Sequence, residues 1–208
     1  MGLVHIESLG PERHRDAGRI LAESLLEDPY YRPVFGATGL ARLRRYMESG
    51  VKCVAPEGHS FVATDDGVPV GALLAIPPRP SRLVHWRFRL SEIAEPFRIG
   101  FVASRRMRRR DRRSEPVHRR GGSWRVCGLG VLPGWQGRGI GGRLLAALAE
   151  RADREGRAIF LATANPRNVP FYRRHGFLFC DDALAEDGCA IQFLVREPAR
   201  RSPPGPLS

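Results

Sequence analysis

Apolar and polar positions follow two different periods along the 208-residue chain, and the local period separates helices from strands. Residues 3–8 read as a short strand. Pro11 suits a first helical position, where its missing N–H has no bond to lose. After it Ala17, Ile20, Leu21, Ser24 and Leu25 recur at helical spacing until Asp28-Pro29 stops the run. Leu43, Tyr46, Met47 and Val51 mark one side of a second helix over 40–54. Two apolar runs within 59–76 flank Asp65-Asp66-Gly67, a turn signal that folds them into a hairpin. Residues 81–113 are the least regular and read as one or two helices, followed by a loop through Pro116 and Gly121-Gly122. Trp124 to Val131 reads as a strand closed by Pro133-Gly134. In 139–155, Ile140, Leu144, Leu145, Leu148 and Ala152 form one apolar face of a helix that Gly156 ends. A buried strand over 158–164, a helix from Val169 to His175 stopped by Gly176, and strands over 177–184 and 189–197 complete the order. The interleaving predicts an α+β fold in three layers, with a mixed, mostly antiparallel sheet flanked by helices and one βαβ step near its end. One domain is expected over 1–196, and residues 197–208 have the Pro and Ser content of a disordered end.

Charge changes this picture in one segment. The chain carries 34 Lys+Arg against 22 Asp+Glu, a formal charge of +12, while its 42% hydrophobic content is that of a folded core. Lys52 is the sole lysine, and arginines crowd the stretch from Arg98 to Arg120. That stretch reads either as a phosphate-attracting surface or as the solvated face of a helix. No Phe, Tyr or Trp lies between Arg105 and Arg120 to stack on bases, which favours the solvated face. No apolar run approaches the roughly 20 residues of a membrane span. The opening residues soon become charged, unlike a signal peptide, and Ile6 stands where a myristoylation motif wants Ser or Thr. A cytoplasmic protein without a membrane partner is expected. Cys53, Cys127, Cys180 and Cys189 are scattered without metal-ligand spacing, so reduced, mostly buried thiols and no metal site are expected. Cys180 and Cys189 would face each other across a hairpin, but a reducing compartment disfavours a bond between them.

The chemically informative run is Leu129 to Leu145, LGVLPGWQGRGIGGRLL, which sets Gly137, Gly139, Gly141 and Gly142 between a strand and a helix. Glycines bring backbone N–H groups close to a ligand, and a helix start adds unpaired donors and the positive end of its dipole. Pyrophosphate is the natural occupant. Gly137, Gly139 and Gly142 satisfy G-x-G-x-x-G, but the first glycine stands six residues beyond Val131 and the next strand ends in Ala162-Thr163-Ala164-Asn165 without an acidic residue. Both points count against a dinucleotide site. No Gly-Lys-Ser/Thr occurs, which excludes a Walker loop.

Gln136-Gly137-Arg138-Gly139-Ile140-Gly141 fits Q/R-x-x-G-x-G/A better, and here the sequence resembles the GNAT N-acetyltransferase superfamily. A second signature supports it: Asn165, Asn168, Tyr172 and Gly176-Phe177 in NPRNVPFYRRHGF. The wording of both motifs looks like the branch that contains puromycin N-acetyltransferase, although Ser123 precedes Trp124 where such relatives often carry His. The resemblance implies acetyl transfer from acetyl-CoA to an amine within a ternary complex. It implies that the backbone of Leu129 and Val131 pairs with the pantetheine arm, and that Gln136, Gly137, Arg138, Gly139, Ile140, Gly141 and Gly142 hold the pyrophosphate. Asn165 or Asn168 would anchor the pantetheine amides, and Tyr172 would protonate the departing thiolate.

The base is not identifiable in the sequence, because Trp124 to Val131 contains no Asp, Glu or His. Glu115, His118 and His85 qualify by residue type alone. Trp86, Phe88 and Tyr30-Tyr31 are candidates to line the acceptor pocket, and His175 fits a helix C-terminal cation beside Gly176. The acceptor is a small-molecule or protein amine, its specificity lying in residues 28–120, and the chain is a monomer or a homodimer. Two alternatives stay open: a catalytically silent acyl-CoA-binding domain, and a nucleic-acid-associated protein working through Arg105, Arg106, Arg108, Arg109 and Arg110.

Overall fold

The computed structural model describes residues 4–114, 122–185 and 188–199. The expectations for Glu115, His118, the Pro116 loop and most of the C-terminal tail lie outside those residues. The elements run β1 (Val4–Ser8), α1 (His14–Leu25), α2 (Arg32–Phe35), α3 (Leu40–Val54), β2 (Phe61–Asp65), β3 (Val68–Ile76), α4 (Arg82–Ile99) and α5 (Phe101–Ser114). They continue β4 (Trp124–Val131), α6 (Ile140–Glu155), β5 (Ile159–Thr163), α7 (Val169–Arg174), β6 (Leu178–Leu184) and β7 (Ala190–Arg196). The strands form one seven-stranded sheet in the order β1-β2-β3-β4-β5-β7-β6. Every neighbouring pair is antiparallel except β4 and β5, the two strands of the βαβ step through α6.

Helices cover both faces, and β3 shows why. Its residues from Pro69 to Ile76 are all buried, so it reads as a continuous apolar run instead of an alternating one. Ala72, Leu74 and Ile76 face a core built with α1 and α3, whereas Leu73 and Ala75 face a second core under α6. The hairpin turns at Asp66 and Gly67, whose φ angles of 47° and 80° are the left-handed pair that a two-residue turn between twisted strands requires.

Several details sharpen or correct the sequence reading. The first helix opens as a 3-10 turn over Pro11–Arg13 and ends at Leu25, and the short α2 was not anticipated. Residues 82–114 form two helices broken at Gly100, whose φ of 92° a side chain would strain. The basic stretch is not wholly a solvated face. Arg110 is 2% exposed and donates to the carbonyls of Pro29 and Tyr30, with its guanidinium 5.4 Å from the Tyr30 ring centre. Arg106 donates to Pro33 O and Arg108 to Glu92 O. These arginines tie α5 to α2 and the loop before it, and to α4. The cysteines are all free, but they are not mostly buried: Cys53 is, Cys180 and Cys189 are partly covered, and Cys127 is exposed.

Candidate active site

The site begins with an irregularity in β4. Leu74 of β3 pairs with Gly128 and Ala75 with Val126, which leaves Cys127 as an extra residue in a β-bulge. On the other side of β4 the parallel ladder to β5 spans Trp124–Val126 against Ile159–Leu161. Beyond the bulge the two strands part. Leu132 N donates to Val70 O of β3, and ladder bonds alternate in direction, so the polar groups of Leu129 and Val131 face away from β3 into this fork. Gln136 Nε2 donates to Val131 O at 3.0 Å, which engages that carbonyl and leaves the Leu129 backbone as the free-standing edge of the fork.

At the mouth of the fork the chain turns into α6. Gly137 and Gly139 have φ of 77° and 76°, and Gly139 is the N-cap, so the loop adopts a path that side chains at these two positions would strain. The first amides of this 16-residue helix have no intrahelical partners and carry the positive end of its dipole. Arg138 stacks over Trp135 with its Cζ 4.6 Å from the ring centre. Gly141 and Gly142 also serve the packing of the helix. A Cβ on Gly142 would stand 2.6 Å from the His175 ring, and one on Gly141 would stand 3.3 Å from Phe171. Both let α6 lie tightly on α7.

Tyr172 projects from α7 into the same space. It is buried, with its ring edge-to-face against Phe171 and Phe177 at 5.2 and 5.9 Å between centres. Burial, and then the negative charge of Asp28, push its phenol well above the ordinary tyrosine range, so it holds its proton. Asn168 also faces the cavity. Asn165 is committed elsewhere: its Oδ1 accepts from Arg167 N at 3.1 Å and its N–H donates to Thr163 Oγ1, which shapes the turn before α7. His175 packs its ring on Phe171, a setting that disfavours the cation expected at the helix C-terminus. Burial against Phe171, and then Arg174, lower its pKa below the usual histidine value, which favours the neutral ring.

Fork and phenol open into one cavity of about 830 Å³, within the size range of small-molecule sites. The fork contributes Cys127 to Leu129 and Ala162 to Ala164; the opposite wall comes from the loop after α1 and from α3, α4 and α5. Tyr30, Tyr31 and Phe88 line it as the sequence suggested, and His85 reaches it. Trp86 does not, for it stands 62% exposed on the outer side of α4. Sequence reasoning missed the carboxylates. Asp28, Glu92 and Glu95 all border the cavity. Asp28 accepts from Tyr30 N at 2.9 Å, yet burial raises its pKa above the usual value. Burial likewise raises Glu95, which accepts from Ser104 Oγ at 2.8 Å. The signal for Asp28 in the sequence was the helix-stopping Asp-Pro pair, which placed it on a loop without saying what that loop faces. Cys127 is reachable from the cavity, and the protein packed around its thiol raises its pKa.

The fold and these motifs have counterparts. The profile of the acetyltransferase (GNAT) family matches residues 21–177. A histone acetyltransferase HPA2-related acetyltransferase from Corynebacterium glutamicum superposes with a TM-score of 0.68 at 21% identity, covering 97% of this chain and 99% of that one. Arylalkylamine N-acetyltransferase 2 from Aedes aegypti gives 0.68 at 14% identity, covering 93% and 98%. A polyamine N-acetyltransferase from Drosophila melanogaster that forms N-acetylagmatine gives 0.61 at 18% identity, covering 94% and 100%. A sheet forked beside a glycine-rich helix start, and a family profile spanning most of the chain, define an acetyltransferase. The chain belongs to the GNAT family.

Proposed function

We propose that the protein transfers the acetyl group of acetyl-CoA directly to a primary amine of a small acceptor, both substrates being bound together. The observation that carries this reading is the continuity of one cavity from the open β4 edge to a wall of carboxylates and aromatic rings, with Tyr172 between them. Acetyl-CoA supplies an activated acyl group on a thiol leaving group. Its pantetheine arm suits the Leu129 backbone as an added strand, and its pyrophosphate suits the amides from Gln136 to Gly142. Asn168 is the better placed of the two asparagines to hold a pantetheine amide.

In the transfer the amine nitrogen forms a bond to the acetyl carbon and the carbon–sulfur bond breaks. The Val131 N–H points into the fork, where it meets the developing negative charge on the carbonyl oxygen. Tyr172, kept protonated, gives its proton to the departing sulfur. Asp28, kept basic by burial, takes the proton that the amine loses, a role that His85 also reaches by position. Three of the five arginines proposed as a nucleic-acid patch, Arg106, Arg108 and Arg110, hold backbone carbonyls of the protein, which supports their reading as braces of the acceptor wall.

Titrating acetyl-CoA calorimetrically, then following thiol release with agmatine, spermidine and an arylalkylamine, tests the proposal. Saturable binding and turnover with at least one amine is expected. Binding without turnover on any amine would leave a silent acyl-CoA-binding domain, and absence of binding would remove the transferase mechanism.

A further inference from the structure

Helix α4 carries a feature that acetyl transfer does not use. Leu83, Trp86, Leu90, Ile93 and Phe97 recur at alternating steps of three and four residues, the spacing of the a and d positions of a coiled coil. Yet each is exposed, by 53% to 81%. Phe101 and Val102 extend the stripe onto α5 at 70% and 67% exposure, and the Phe97 and Phe101 rings meet edge-to-face 5.8 Å apart. The inner side of α4 is occupied: Val84 and Ile99 are buried, while Phe88, Ser91 and Glu95 form cavity wall. With roughly 150–250 Å² for each aromatic side chain, the stripe leaves on the order of 900 Å² of apolar surface in water. The largest such patch on a typical monomer is roughly 300–600 Å². A stable interface takes about 800 Å² from each partner. Outside the described residues the large apolar side chains of this sequence are Met1, Leu3, Val117 and Leu207.

We infer that this face joins two copies of the chain, α4 packing antiparallel on its counterpart across a twofold axis near Leu90. A closed pair needs a surface complementary to itself, and a heptad seam is such a surface. Charge sets the direction. Residues 82–89 carry Arg82, Arg87 and Arg89 with no acid, whereas residues 90–99 carry Glu92 and Glu95 with Arg98. A parallel pair would lay Arg82, Arg87 and Arg89 beside their own copies; the antiparallel pair sets this basic half against residues 91–98, whose formal charge is −1. Because the inner side of α4 is acceptor wall, the second copy also braces the pocket from behind.

Sedimentation velocity across a dilution series reads the mass directly. The full chain is expected at twice its 23.2 kDa, and the double variant Leu90→Glu, Ile93→Glu at 23.2 kDa with an unchanged melting temperature. Leu90→Cys is expected to form a covalent dimer on mild oxidation that the wild-type cysteines do not form. Chains carrying Leu83→Cys should cross-link to chains carrying Phe97→Cys in preference to themselves. A monomeric wild type, or a dimer that persists in the double variant, would overturn the assignment. So would a monomer that floats with phosphatidylcholine vesicles, which would give the stripe to a lipid surface. Should the double variant fail to fold, failure of Leu90→Cys to cross-link would overturn it equally.

Discussion

The two walls of the cavity are built on different terms. The wall formed by β4 and β5 presents backbone: a bulge at Cys127 that parts two strands and the Leu129 edge, with the glycine loop and the start of α6 following in the chain. The wall formed by the loop after α1 and by α3, α4 and α5 presents side chains gathered from distant segments, with Asp28, Phe88 and Glu95 meeting only in the folded chain. Even its bracing is remote, since Arg110 holds the carbonyls of Pro29 and Tyr30 from about eighty residues away. A ligand held by backbone imposes glycines and turns at fixed spacing. A ligand held by side chains imposes no such spacing, so the first wall suits a constant cosubstrate and the second can be rebuilt for a new acceptor.

Variants that strike one wall at a time break this comparison most sharply. Gly139→Asp puts a strained side chain and a negative charge where the pyrophosphate should sit, and acetyl-CoA affinity measured by calorimetry should fall on the order of 100-fold. Tyr172→Phe should lower kcat by about 100-fold with acetyl-CoA affinity unchanged. Unaltered turnover would remove Tyr172 from the chemistry. Asp28→Asn keeps the acceptor of the Tyr30 N–H and removes the charge, so kcat/KM for the amine should drop by roughly tenfold or more at constant acetyl-CoA affinity.

The same substitution carries a stability signature. Burial raises the Asp28 pKa in the folded chain, so its favourable contribution is greatest below the unfolded pKa and falls as pH rises through the folded one. At neutral pH Asp28→Asn should therefore melt at the wild-type temperature or above it. A lower melting temperature would mean that Asp28 is held there for structure.

Asp153→Asn supplies the smallest effect and touches neither wall. Arg196 donates to both Asp153 oxygens at 2.8 Å, and these bonds hold its carboxyl below the ordinary range. Its contribution is present above the unfolded pKa and is lost as pH falls through the folded one. The variant should cost about 1 kcal/mol at neutral pH, the scale of a partly exposed pair, and its melting curve should converge on the wild type in acid. Transfer kinetics should not change.

The same division explains what the sequence made legible. Hydrophobic period, Asp66-Gly67 and Gly156 place the strands and helices closely, and the glycine loop with Tyr172 marks the region proposed for the cosubstrate. Bulge and fork were hidden, because they depend on the register of Val126 and Gly128 against a strand fifty residues earlier. Helix α4 looked irregular since its apolar residues belong to two faces, Val84, Phe88 and Ile99 inward and the Leu83-to-Phe97 stripe outward. Arg110 looked like one more surface arginine, and only the position of the Pro29–Tyr30 carbonyls explains its burial. Asn165 carried the expected motif position, but its carboxamide oxygen is spent on the turn.

The central claim is that the fork between β4 and β5 receives the thiol end of acetyl-CoA, and Cys127 stands in that fork. Its alkylation by iodoacetamide, followed by peptide mapping in alkaline buffer because its thiol pKa is raised, reads occupancy of the fork itself. Saturating acetyl-CoA is predicted to protect Cys127 while leaving the labelling of Cys189 unchanged. Labelling of Cys127 at the same rate with and without acetyl-CoA would contradict the account.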